Sequence, residues 1–168
     1  MNIRFIVVNV AMATDQGFMS KIDVPFSCIS IVSPEHPQYE VVKNPLMKDV
    51  LYLRFHDERA DGTISSFYEV VKPKQIDDSD ARKIIEFGLK NKKHKNFMIH
   101  CEAGLSRSPA VALALSEILN IDKKTPGVYV ETLYDINHHN YDVKKLILDT
   151  YYREYYSFDM VNVEIPKE

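Results

Sequence analysis

Hydrophobic positions along the chain fall into two kinds of pattern. Short, dense apolar runs rich in β-branched residues predict buried strands. The first spans about Ile3 to Val10, the second Phe26 to Val32, the third Val50 to Phe55 and the fourth Asn96 to His100. Breakers bound them: Ser33-Pro34 and Pro37 after the second, Asn44-Pro45 before the third. The opening stretch MNIRFIVVNVAMA shares the outline of a secretion signal, with one Arg, an apolar core and an A-x-A ending. Its Asn9 and its β-branched residues make a first strand the better reading.

The second pattern has helical spacing. Ala81, Ile84, Ile85, Gly88 and Leu89 form one apolar stripe between Ser79 and Lys90, with Asp77, Asp78 and Ser79 offering cap oxygens and negative charge at its start. The run from Lys90 to Lys95 ends it, read as a solvated turn. Ser108 to Leu119 is apolar nearly all round, which predicts a buried helix with Pro109 in its first turn. Val128 to Tyr156 reads as further helix, with Leu133, Ile136, Val143, Leu146, Ile147 and Tyr151 available for packing. Asp57 to Ile76, polar and containing Asp61-Gly62 and Pro73, reads as a long loop. Strands alternating with helices predict an α/β fold, a largely parallel central sheet flanked by helices.

Composition narrows the class. A length of 168 residues predicts a single domain over 1–168, and 45% apolar with 27% charged residues is the balance of a globular chain. The net charge of −3 argues against nucleic acid or an anionic membrane as partner, and no apolar run has the length of a bilayer span. Two cysteines, Cys28 and Cys101, exclude a disulfide scaffold and a four-cysteine zinc site. The expectation is an intracellular, cytoplasmic protein.

The chemistry concentrates where the fourth strand meets the buried helix. Cys101-Glu102-Ala103-Gly104-Leu105-Ser106-Arg107 places a cysteine at a strand end and an arginine at a helix start, with a tight loop between them. Backbone N–H groups of such a loop converge on one point, and the helix N-terminus adds partial positive charge, so the segment suits a phosphoryl group and favours a thiolate at Cys101. Arg107 can hold two phosphoryl oxygens bidentately. Gly104 supplies a backbone with positive φ or a close approach.

The residues His100-Cys101-x-x-Gly104-x-x-Arg107-Ser108, within HCEAGLSRSP, resemble the signature of the cysteine-based protein tyrosine phosphatases, and of their compact dual-specificity branch in particular. A weaker resemblance runs from the strand before Phe55-His56-Asp57 to about Leu119. It implies a protein phosphatase acting on phosphotyrosine, with phosphoserine and phosphothreonine left open, through a phosphocysteine intermediate at Cys101. Arg107 and the backbone amides of Glu102, Ala103, Gly104, Leu105, Ser106 and Arg107 would bind substrate and stabilise the transferring phosphoryl group. Ser108 would assist departure of the thiolate, and His100 would hold the loop and tune the cysteine. The family also uses an aspartic acid from a separate loop to protonate the leaving oxygen. Asp57, after the third strand, is the first candidate, Asp61 the second and Glu58 the third. No metal or organic cofactor is required, and phosphate, sulfate or vanadate should occupy the loop.

Two other function classes stay open: a phosphatase-like module that binds phosphorylated partners without turnover, and a rhodanese-type sulfurtransferase, which also carries a cysteine after a strand. The His before the cysteine and the Ser-Pro after the arginine favour the phosphatase. Glu102 and the lack of Lys or Arg between Cys101 and Arg107 favour a monoester on protein over a polyanionic substrate. Cys28 reads as a buried apolar residue, with a disulfide to Cys101 as the lesser alternative. His138-His139 reads as a surface pair, and Tyr151, Tyr152, Tyr155 and Tyr156 as helix packing and rim.

Overall fold

A computed structural model describes residues 3–57, 74–121, 128–132 and 138–156 of the chain. Five parallel strands, β1 (Ile3–Asn9), β2 (Phe26–Val32), β3 (Met47–Arg54), β4 (Asn96–Cys101) and β5 (Val128–Thr132), form one sheet in the order β3-β2-β4-β1-β5. The helices are α1 (Val10–Ala13), α2 (Gln16–Met19), α3 (Asp78–Asn91), α4 (Arg107–Ile121) and α5 (Tyr141–Tyr151), the last continuing as a wider turn through Tyr156. The fold is α/β.

Period-2 alternation assigns each strand residue to a face. Phe5, Val7, Ile29, Ile31, Leu53, Phe97, Ile99 and Cys101 join one core with the buried faces of α3, α4 and α5. Val8, Phe26, Cys28 and Met98 join a second core with Ala13, Met19 and Val41. The stripe at 81, 84, 85 and 88 is buried as its spacing predicts, and Asp77 caps α3 by accepting from the Asp80 N–H at 2.9 Å. A Cβ at Gly88 would lie 2.6 Å from Leu115, so glycine permits the close approach of α3 to α4.

The opening stretch forms β1, with β4 on one side and β5 on the other. Helix does not extend over the whole of Val128–Tyr156: Val128–Thr132 is β5 and α5 begins at Tyr141. Val-Tyr-Val-Glu-Thr is a β-branched and aromatic run of strand length behind Pro126-Gly127, and β1 offers it a free edge. Most of the expected loop after Asp57, including Glu58 and Asp61, lies outside the described residues, as do Leu133 and Ile136.

Cys28 and Cys101 are both free thiols. Cys28 registers with Met98, three residues short of Cys101 and on the opposite face of the sheet. Three strand residues span ~10 Å, beyond the ~7 Å limit between bridged Cα atoms, so the fold excludes a disulfide between them.

Strand order locates the crevice of the sheet. The chain leaves β1 into α1 and α2 over one face of the sheet and leaves β4 into α4 over the other, although β1 and β4 are neighbours. Connections that diverge from adjacent parallel strands open a gap at their C-terminal ends, the usual ligand position in open α/β sheets. Cys101 ends β4 there, paired with Asn9 at the end of β1.

Candidate active site

The loop from Cys101 to Arg107 is fastened to β1. Gly104 has φ of +74°, and a Cβ on it would lie 2.8 Å from the Val8 carbonyl oxygen, so only glycine fits. The Val10 N–H donates to the Glu102 carbonyl at 3.2 Å. The loop therefore closes on Cys101, which is 2% exposed. The Gly104 N–H donates to its Sγ at 3.3 Å, and Ser108 Oγ lies 3.2 Å from it.

Arg107 opens α4 and is 4% exposed. Its Nη1 donates to the Phe55 carbonyl at 2.7 Å and to Ser33 Oγ at 3.1 Å. Its Nη2 is paired with Glu102 Oε2, while Glu102 Oε1 accepts from the Ser33 N–H at 2.7 Å. The ends of β2, β3 and β4 thus hold the guanidinium in one plane. Its Nε–H is buried with no partner among the described residues, so the arginine keeps a donor for an anion.

Asp57 reaches the same loop. Its Oδ1 accepts from Ser106 Oγ at 2.6 Å and from Asn140 Nδ2 at 2.9 Å. The chain entering it is pinned as well: the His56 N–H donates to the Lys74 carbonyl at 2.8 Å, and Lys74 Nζ bonds the Arg54 carbonyl at 2.8 Å and Asp80 at 3.1 Å. His56 Nε2 also pairs with Glu35 Oε2 at 2.7 Å.

Of the residues expected at the site, Cys101, Glu102, Gly104, Ser106, Arg107, Ser108 and Asp57 come together. Glu102 alters one expectation. Its carboxylate is tied to Arg107, so it is not a free negative charge facing a polyanion. His100 is fully buried, and neither ring nitrogen has a side-chain hydrogen-bond partner among the described residues. Ser33, the Phe55 carbonyl and Asn140 were not expected from the sequence. Only Asn140 left a signal there, as a cap residue ahead of the stripe at 143, 146 and 147. His138 is exposed and His139 half-buried, and no cluster of metal-ligating side chains occurs among the described residues. Tyr151 and Tyr155 pack on the main core, whereas Tyr152 and Tyr156 are exposed.

Burial pushes the His100 imidazole down from its ordinary value of 6.5 to about 4, opposed in part by the Cys101 backbone and the Glu102 charge. The folded state therefore resists the protonated form, and the unfolded chain takes up the proton first. Stability should be unaffected by this group above pH 6.5 and fall by about 3 kcal/mol between there and pH 4. Urea midpoints measured against pH should show that slope in the wild type, and His100→Asn should lack this contribution.

No family model matches the chain, and no curated protein matches it either. Among the described residues no helix is long and apolar enough to cross a membrane.

Proposed function

We propose that the chain is a cysteine-dependent phosphatase of the dual-specificity type, hydrolysing phosphate monoesters on protein through a phosphocysteine. The observation that carries the reading is the Ser106–Asp57 hydrogen bond, which puts an acid on the seven-residue loop that already holds Cys101 and Arg107. Nucleophile, cationic clamp and proton donor come from three different elements and meet at the switch point of the sheet, the combination that in-line phosphoryl transfer needs.

Cys101 Sγ attacks phosphorus opposite the leaving oxygen, forming the S–P bond as the P–O bond breaks. The leaving oxygen takes its proton from Asp57. Arg107 binds phosphoryl oxygens through Nε–H and the Nη2–H not used by Glu102, while the loop amides face the others. A water then attacks phosphorus and gives its proton to the Asp57 carboxylate. The S–P bond breaks, and the departing thiolate is received by the Ser108 hydroxyl and the Gly104 N–H.

The experiment is hydrolysis of para-nitrophenyl phosphate in reductant and EDTA. The reading expects turnover that survives the chelator and is blocked by vanadate; folded, reduced protein without turnover would overturn it. Phosphotyrosine peptides are then expected to be hydrolysed as well. Asp57→Asn should lower kcat/KM by ~10²-fold on phenyl phosphate, whose leaving group needs a proton. It should have little effect on an ester of an acidic phenol, measured in parallel.

A further inference from the structure

We infer that Asn140 is a positioning residue for Asp57, holding one carboxylate oxygen so that the proton is delivered from the other. The inference rests on the phosphatase reading and extends it to a residue outside the loop.

Asn140 is 1% exposed and stands immediately before α5. Its Oδ1 accepts from the Val143 N–H at 3.1 Å as the helix cap, which leaves its amide nitrogen directed at Asp57 and fixes the orientation of the group. Nδ2 donates to Asp57 Oδ1 at 2.9 Å, and the Asn140 backbone N–H donates to the Ser106 carbonyl at 3.1 Å. Ser106 Oγ donates to the same Asp57 oxygen at 2.6 Å. The three residues form a closed ring in which α5 is attached to the loop and both are attached to the acid.

Two donors on Oδ1 decide where a proton on Asp57 can reside. Oδ1 is occupied as an acceptor by an O–H and an N–H, so the acidic hydrogen sits on Oδ2, which takes neither bond. The same two bonds limit rotation of the carboxyl group, so Oδ2 is presented in one direction. A general acid depends on such placement, since proton transfer requires hydrogen-bond reach of the leaving oxygen.

The cap and the acid contact use different atoms of one side chain, which allows them to be separated. Asn140→Asp keeps an oxygen for the Val143 N–H but sets a carboxylate against Asp57. Asn140→Ser also keeps a cap but does not reach Asp57. Rates would be measured on phenyl phosphate, para-nitrophenyl phosphate and difluoromethylumbelliferyl phosphate, together with pH profiles and melting temperatures. Both variants are expected to lose ~10²-fold in kcat/KM on phenyl phosphate and only a few-fold on the umbelliferyl ester. Adding Asn140→Asp to Asp57→Asn should cost nothing further.

Equal losses on all three esters, or losses that add to those of Asp57→Asn, would show Asn140 to be a helix cap only and overturn the inference. Should Asn140→Asp fail to fold, Asn140→Ser gives the same comparison. A wild type inactive on every ester would overturn the phosphatase reading itself, and with it any proton delivery for Asn140 to direct.

Discussion

Cys101→Ser is expected to lower turnover of aryl phosphates by ~10⁴-fold or more while leaving the fold intact. The hydroxyl is close in size to the thiol, and the Gly104 N–H and Ser108 Oγ that surround Sγ can hydrogen-bond it equally well. What it cannot do is supply a thiolate nucleophile, since serine has no comparable anion at neutral pH. The variant should therefore still bind phosphate and vanadate. Steady-state rates and calorimetric titration with phosphate check both halves of the statement. Substantial turnover by Cys101→Ser would mean that another group attacks phosphorus, and loss of phosphate binding would mean that the loop had collapsed.

Arg107→Lys is expected to lower kcat by ~10³-fold, the usual order for removing a guanidinium that stabilises transferring phosphoryl charge. Lysine keeps the charge but not the plane. Arg107 bonds the Phe55 carbonyl, Ser33 and Glu102 at once, and these fix the direction of its remaining donors. An ammonium group meets one or two of these partners and leaves the others in a site from which water is largely excluded. Arg107→Met should in addition destabilise the protein by ~2 kcal/mol, because the Glu102 carboxylate then loses its charge partner and the Phe55 carbonyl its donor. Single-turnover rates and urea midpoints separate the two effects. An Arg107→Lys variant with near-normal kcat would contradict the role given to the guanidinium.

The site divides into parts the sequence displays and parts it hides. Loop chemistry is local: Cys101, Gly104, Arg107 and Ser108 lie within eight consecutive positions, and strand, tight turn and buried helix follow directly from apolar density and from Gly104 and Pro109. The supports of Arg107 and Asp57 are not local. Ser33, Phe55 and Asn140 stand 74, 52 and 83 residues from their partners, and only the strand order β3-β2-β4-β1-β5 brings them together. No periodicity encodes that order, since strands buried on both faces carry nearly the same apolar signal wherever they insert. The error at Val128–Thr132 has the same origin. A five-residue run with three apolar residues, Val128 to Val130, fits strand or helix until an edge is available to pair it, and β1 provides that edge. Glu102 was legible as a charge but not as a partner, because its role depends on how a folded arginine turns back on its own loop.

Transfer of phosphorus to sulfur is the central claim, and trapping tests it most directly. Ser108→Ala removes the hydroxyl 3.2 Å from Sγ that in the proposed mechanism would receive the departing thiolate, while attack of Sγ on an ester with a good leaving group would need no help from it. Mixed rapidly with difluoromethylumbelliferyl phosphate and quenched, this variant should carry one phosphoryl group per chain, located by mass spectrometry on the peptide containing Cys101. A variant that turns over with no phosphoryl group on Cys101, or with one on a different residue, would contradict the account.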